Sequence, residues 1–193
     1  MKLLILTFLV FGVTIGGAGP LQAQDYAQLV STLGSQGPFQ SEVEQLLYSK
    51  LNNFRASRGL RRLDTDDRFT QAARAHSADM ARRSYLGHVS ADGLDFSARM
   101  KALHGGKLSF STIGENAVMM YPVRSAGAVA DTLFKSWLNS PPHLSNMLRA
   151  DFVRVATGAV YLGNKAYADQ IFLGSPVAPE VSGRCSQPCV TWH

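Results

Sequence analysis

Two histidines and one glutamate carry most of the chemistry this sequence offers. His88 closes the stretch Tyr85-Leu86-Gly87-His88, Glu115 sits in Gly114-Glu115-Asn116, and His143 follows Ser140-Pro141-Pro142. Two neutral imidazoles and one carboxylate are a sound donor set for a divalent metal such as zinc. Three such ligands would leave a fourth position open to water or to a ligand. Asn116 or Ser140 would then stand behind the ligands and orient what binds. The same residues support a plainer arrangement, in which Glu115 pairs with His88 or His143 as a fixed ion pair. That pair raises the histidine pKa and organises a cleft without catalysis. A third arrangement is catalytic. Ser140, His143 and Glu115 include the residue types of a nucleophilic triad, and an open metal site can acidify water. No Gly-x-Ser-x-Gly elbow and no His-Glu-x-x-His pair is present to support either version. His76 lies on an alanine-rich helix face and reads as packing. Asn52 and Arg55 read as hydrogen-bonding groups at helix ends or between helices, and Trp137 as core.

The elements that must position these residues follow from periodicity. Ser41 with Glu44 reads as a capping box opening a helix. Val43, Leu46, Leu47, Leu51 and Phe54 fall on one face of it, and Gly59 suits the stop. A second helix is expected over Asp66–Ser84, with Phe69, Ala72, Ala73, His76 and Met80 on one face, and alanine there permits close packing. Phe96, Met100 and Leu103 mark a short third helix, and a strand follows near Asn116–Tyr121. A fourth helix over Ala126–Leu138 buries Val129, Leu133, Phe134 and Trp137, and Pro141-Pro142 stops it. The last third reads as a hairpin. Val153, Val155 and Ala159–Leu162 form one strand, Tyr167 with Gln170–Phe172 the next, and Gly163-Asn164 the turn. Helices first and a late strand pair give an α+β pattern without regular βα alternation.

Four segments then matter together. They are Asn52-Asn53-Phe54-Arg55 with Gly59-Leu60; Ala75–Met80 with Tyr85–His88; Gly114-Glu115-Asn116; and Trp137–Leu148 followed by Phe152. In this order and spacing, over residues 42–173, they resemble the CAP superfamily of cysteine-rich secretory, antigen 5 and pathogenesis-related proteins, also called the SCP domain, in its short bacterial form. The resemblance implies a three-layer α/β/α sandwich with a central antiparallel sheet. It also implies an open cleft with two histidines and two acidic residues. Residue by residue, His88, Glu115 and His143 take three of those positions. The second acidic position falls at about Ser140, so the paired carboxylates of animal members are incomplete. The core disulfides of animal and plant members are absent too. By the same resemblance some relatives bind metal in the cleft, others bind sterols or fatty acids, and protease activity has been proposed for parts of the family. The expectation is therefore a binding module for a lipid, glycan or peptide, with zinc or another divalent metal as the cofactor class. The alternative is a metal-dependent hydrolase or protease acting on peptide or cell-wall substrates.

The ends of the chain are read separately. Lys2, the apolar run Leu3–Val13, the breakers Gly16–Pro20 and the small residue Ala23 have the order of a secretory signal peptide over residues 1–23. Residues 24–40 form a lead-in, 41–174 the domain, and 175–193 a tail containing Pro and Gly. The export signal places the chain outside the cytoplasm, secreted or periplasmic. The two cysteines, Cys185 and Cys189, would there form a local disulfide stapling the tail. The formal net charge is +5, or +4 without Lys2. That modest excess allows peripheral contact with a membrane or an acidic cell wall. Aromatic residues are not interleaved with the basic ones, which argues against nucleic acid.

Overall fold

The computed structural model describes residues 39–104 and 109–177. The expected signal peptide over residues 1–23, most of the lead-in, and the tail beyond Val177 with the expected Cys185–Cys189 disulfide lie outside the described residues. Five helices are described: α1 (Ser41–Ser57), α2 (Asp67–Arg83), α3 (Phe96–His104), α4 (Ala126–Leu138) and α5 (Pro141–Leu148). The strands are β1 (Ser109–Phe110), β2 (Ile113–Met120), β3 (Arg154–Leu162), β4 (Lys165–Leu173) and β5 (Pro176–Val177). The central sheet is antiparallel in the order β2-β4-β3, and β1 pairs with β5 in a small second sheet.

Alternation along the strands sends side chains to two faces, each covered by helices. Val118 and Met120 of β2, Val155 and Ala159 of β3, and Ala168 and Phe172 of β4 pack with α1 and α4. Val43, Leu47, Leu51, Val129, Leu133 and Trp137 complete that core, all of them fully buried. On the other face Ala117, Ala156, Val160, Tyr167, Ile171 and Leu173 pack with α2 and α3, from which Phe69, Ala72, Met80 and Met100 point inward. The chain is thus the α/β/α sandwich with a central antiparallel sheet, α+β in class.

The alanine-rich face of α2 has a specific counterpart in β3. A Cβ built on Gly158 would lie 2.1 Å from the backbone nitrogen of Arg74. Helix and strand therefore touch backbone to backbone, and Ser77 Oγ donates to the Gly158 carbonyl at 2.9 Å. Asp66 caps α2 by accepting from the Arg68 N–H, and Ser84 ends it in the left-handed region at φ 55°.

Several boundaries differ from the sequence reading. The Ser41–Glu44 capping box does not form, and Gln40 is the N-cap of α1, its side chain not capping the helix. Glu44 instead takes both Nε and Nη2 of Arg74, at 2.9 and 2.6 Å, and the Ala159 N–H at 3.0 Å. A long-range pair at a half-buried site outcompetes the local cap. Pro141 and Pro142 do end α4, but they also open α5, which the sequence reading missed. Their missing N–H groups cost nothing in a first turn, where those groups have no partner in the helix. Strand β2 starts three residues before the expected Asn116. Phe39, in the lead-in, bridges to Val160, and Pro176-Val177, in the tail, pairs with Ser109-Phe110.

Candidate functional site

The site lies at the β2 edge of the sheet, where α5 approaches from one face and the loop after α2 from the other. Gly114 makes the approach of α5 possible. A Cβ there would meet Phe152 Cζ at 2.9 Å and Asn146 Oδ1 at 3.0 Å. With glycine in place, Asn146 Nδ2 donates to the Glu115 carbonyl at 3.1 Å and to Asn116 Oδ1 at 2.9 Å. Asn116 Nδ2 in turn donates to the His143 carbonyl at 3.2 Å. Two buried or half-buried amides thus fix the segment that carries His143 to β2. Ser140 is the N-cap of α5 with extended backbone, but its side chain caps nothing and makes no hydrogen bond with His143.

His88 is held from beneath. The buried His76 donates its Nε2–H to the Gly87 carbonyl at 2.9 Å, and Arg99 Nη2 donates to the His88 carbonyl at 3.0 Å. Arg99 also donates to Glu115 Oε1 at 2.7 Å, while His88 Nδ1–H donates to Glu115 Oε2 at 2.8 Å. Both carboxylate oxygens are therefore engaged, and the Glu115 side chain is only 2% exposed against 51% for His88. The His88 and His143 rings stand 6.3 Å apart, centroid to centroid, inclined at 64°. The structure thus brings His88, Glu115, Asn116 and His143 together and places Ser140 at the start of the same helix, without a bond to them.

The electrostatics follow from this geometry. The hydrogen bond to Glu115, helped by its charge, raises the His88 pKa against the opposing effect of burial. Burial pushes Glu115 upward, but the His88 hydrogen bond and the Arg99 charge overcome it and hold the carboxyl below its usual range. His143 is lowered by burial and by repulsion from His88. His76 is lowered to about 4, first by burial and then by Arg99, so it stays a neutral ring.

Two residues escaped the sequence reading. Arg99 lies on the buried stripe of α3, three residues after Phe96 and four before Leu103, and is 0% exposed. A charge on an apolar stripe was the available signal. Asp169 interrupts β4 with a fully buried carboxyl, neither oxygen of which has a hydrogen-bond partner. It pairs with Ala117 across the ladder and so shares the Glu115 face of the sheet. Burial, reinforced by the Glu115 charge, raises its pKa well above the ordinary value.

The donor set suits a cation only in part. Among the described residues no three His, Cys, Asp or Glu side chains are placed to hold a metal ion. Glu115 is turned toward Arg99 and His88. What remains is a pair of imidazoles, one of them oriented by a carboxylate on its far nitrogen, as is common behind metal-binding histidines.

Known proteins resemble this chain in sequence and in fold. The chain is 26% identical over 138 residues to the uncharacterized protein YkwD of Bacillus subtilis (strain 168), covering 72% of this chain and 50% of that protein. It is 28% identical over 134 residues to the uncharacterized membrane protein YlbC of the same organism, covering 69% of this chain and 35% of that one. The chain thus spans half or less of the curated relatives it matches. Among solved structures, an extracellular protein containing an SCP domain from Bacillus anthracis str. Ames superposes with a TM-score of 0.57 at 27% identity, over 70% of this chain and 41% of that one. An outer surface protein of Borrelia burgdorferi superposes with a TM-score of 0.57 at 17% identity, over 72% of this chain and 98% of that one, a likeness of fold. The family model for the cysteine-rich secretory proteins matches residues 48–174, which contain every site residue named above, and the chain belongs to that CAP family.

Proposed function

We propose that this chain is an exported binding module. Its cleft at the β2 edge would hold a small or extended ligand such as a lipid, with a divalent cation taken between His88 and His143. The single observation that carries this reading is the full engagement of Glu115 by His88 and Arg99. The engaged carboxylate is poorly placed to shuttle protons, while the half-exposed imidazole of His88 is oriented for a ligand. Ser140, the nucleophile of the triad reading, makes no hydrogen bond with His143 and caps nothing. Residues His88 and His143 would hold the cation, and Glu115 would fix the ring of His88. A bound cation would supply an electrophilic centre for a ligand oxygen. Export rests on the order of residues 1–23, and among the described residues no helix is long and apolar enough to cross a membrane.

The test is calorimetric titration of the mature protein with zinc, paired with native mass spectrometry after incubation with lipid extract. One zinc per chain is expected, weakened at least tenfold by either His88→Ala or His143→Ala, in line with the loss of one of two ligands. Retained lipid in the mass spectrum is expected as well. Zinc uptake indifferent to both substitutions would remove the cation from the reading. Protein that stays lipid-free after incubation would remove the lipid.

A further inference from the structure

The end of the sandwich where β2 and β3 finish carries a different feature. After β2 the chain runs Tyr121-Pro122-Val123-Arg124, and between β3 and β4 it runs Leu162-Gly163-Asn164-Lys165. These two segments are joined. The Val123 N–H donates to both the backbone carbonyl of Asn164, at 3.2 Å, and its side-chain Oδ1, at 3.0 Å. Gly163 turns with φ at 57°, which places Leu162 opposite Lys165 at the end of the ladder. The result is one braced tip.

Its composition departs from an ordinary polar loop cluster. Tyr121 is 70% and Leu162 49% exposed, two of the five large apolar side chains that stand exposed among the described residues. Pro122, Arg124 and Lys165 are exposed beside them. No Asp or Glu occurs from Val118 to Ala130 or from Phe152 to Ala168. Beyond the first segment Asp131 is already paired with Lys50. The acid felt near the tip is Glu42 of α1, whose charge reaches the half-buried Tyr161. An aromatic ring, a leucine and two cations at a fixed protrusion match the interface of an anionic bilayer. There the apolar groups enter the headgroup layer and the cations meet lipid phosphates. A soluble acidic polymer would use the cations but has no place for Tyr121 and Leu162.

We propose that this tip is a docking surface for anionic lipid bilayers, with Tyr121 and Leu162 inserting and Arg124 and Lys165 supplying the charge match. The surface is separate from the His88–His143 cleft and does not depend on what the cleft binds. The probe is a phosphatidylcholine vesicle with or without about a third phosphatidylglycerol, in sedimentation assays at low and high salt. The mature protein is expected to bind the anionic vesicles and to lose binding about tenfold in the double variant Tyr121→Ser with Leu162→Ser. A similar loss is expected in Arg124→Glu with Lys165→Glu. A Tyr121→Trp reporter, read against wild type, is expected to shift its emission to the blue on vesicle binding. Unshifted emission would overturn the proposal. So would equal binding to neutral and anionic vesicles, or binding to polyphosphate that outlasts the apolar substitutions while vesicle binding is absent. Since all substituted positions are exposed, loss of folding is not the expected cause of any loss, and unchanged thermal unfolding checks this.

Discussion

Glu115 accepts hydrogen bonds from both His88 and Arg99, and that sets how the exposed histidine behaves. His88 is pulled up by Glu115 and pushed down by Arg99. Two substitutions should therefore move its titration in opposite directions. Glu115→Gln is expected to drop the His88 pKa toward that of a free imidazole, and Arg99→Met to raise it further, both read from the His88 ring proton by NMR. Arg99→Met should also destabilise by about 3 kcal/mol, because it leaves a buried carboxylate short of its donor. The raised folded pKa means that the contribution of His88 to stability is fully present below its unfolded pKa and is lost as pH rises through the folded one. His88, Glu115 and His143 stood out in the sequence through the motifs that resemble the CAP family. Arg99 was not, because an arginine on a short helix is usually a solvated group, and only contact with Glu115 gives it a role.

Among the elements, the central strand β4 carries a cost that its pattern does not explain. Asp169 is buried without a hydrogen-bond partner, and a group left so costs about 1–3 kcal/mol. Its raised pKa means the folded state keeps a proton that the unfolded state gives up above the ordinary carboxylate range. Stability from this residue therefore falls as pH rises past that range. Asp169→Asn is expected to stabilise the protein at neutral pH by an amount of that order, and by less near pH ~4, in urea denaturation. The contact between α2 and β3 is equally specific. Gly158→Ala would drive a methyl into the Arg74 backbone, and a loss of about 3 kcal/mol is expected, since neither backbone can move aside. Helix faces were readable because burial repeats every three to four residues. The capping box failed because Arg74, thirty positions away, competes for Glu44. Helix α5 was missed because two prolines look like a stop until the next segment is seen to start on them.

At the level of the whole molecule, one acid limb should dominate stability. His76 is buried under the His88 loop with its pKa lowered to about 4 from an ordinary value of 6.5. Its contribution is therefore present above the unfolded value and is lost as pH falls toward the folded one. The loss comes to about 3 kcal/mol. His76→Leu is expected to flatten denaturation free energies between those pH values, and an unchanged slope would place the acid sensitivity elsewhere. The residue packs as its helix face implies, yet its hydrogen bond to Gly87 also anchors the loop that presents His88. The primary sequence determined the class of fold, the helix faces, the closing hairpin and the short motifs that carry His88, Glu115 and His143. Each of these is local, written in periodicity or in short motifs. Only the tertiary structure decided that Glu115 faces Arg99 and His88, that Asp169 lies unpartnered on the same sheet face, and that two loops join into one tip. Those outcomes depend on strand register and on contacts between segments far apart in the chain, and no local pattern encodes them.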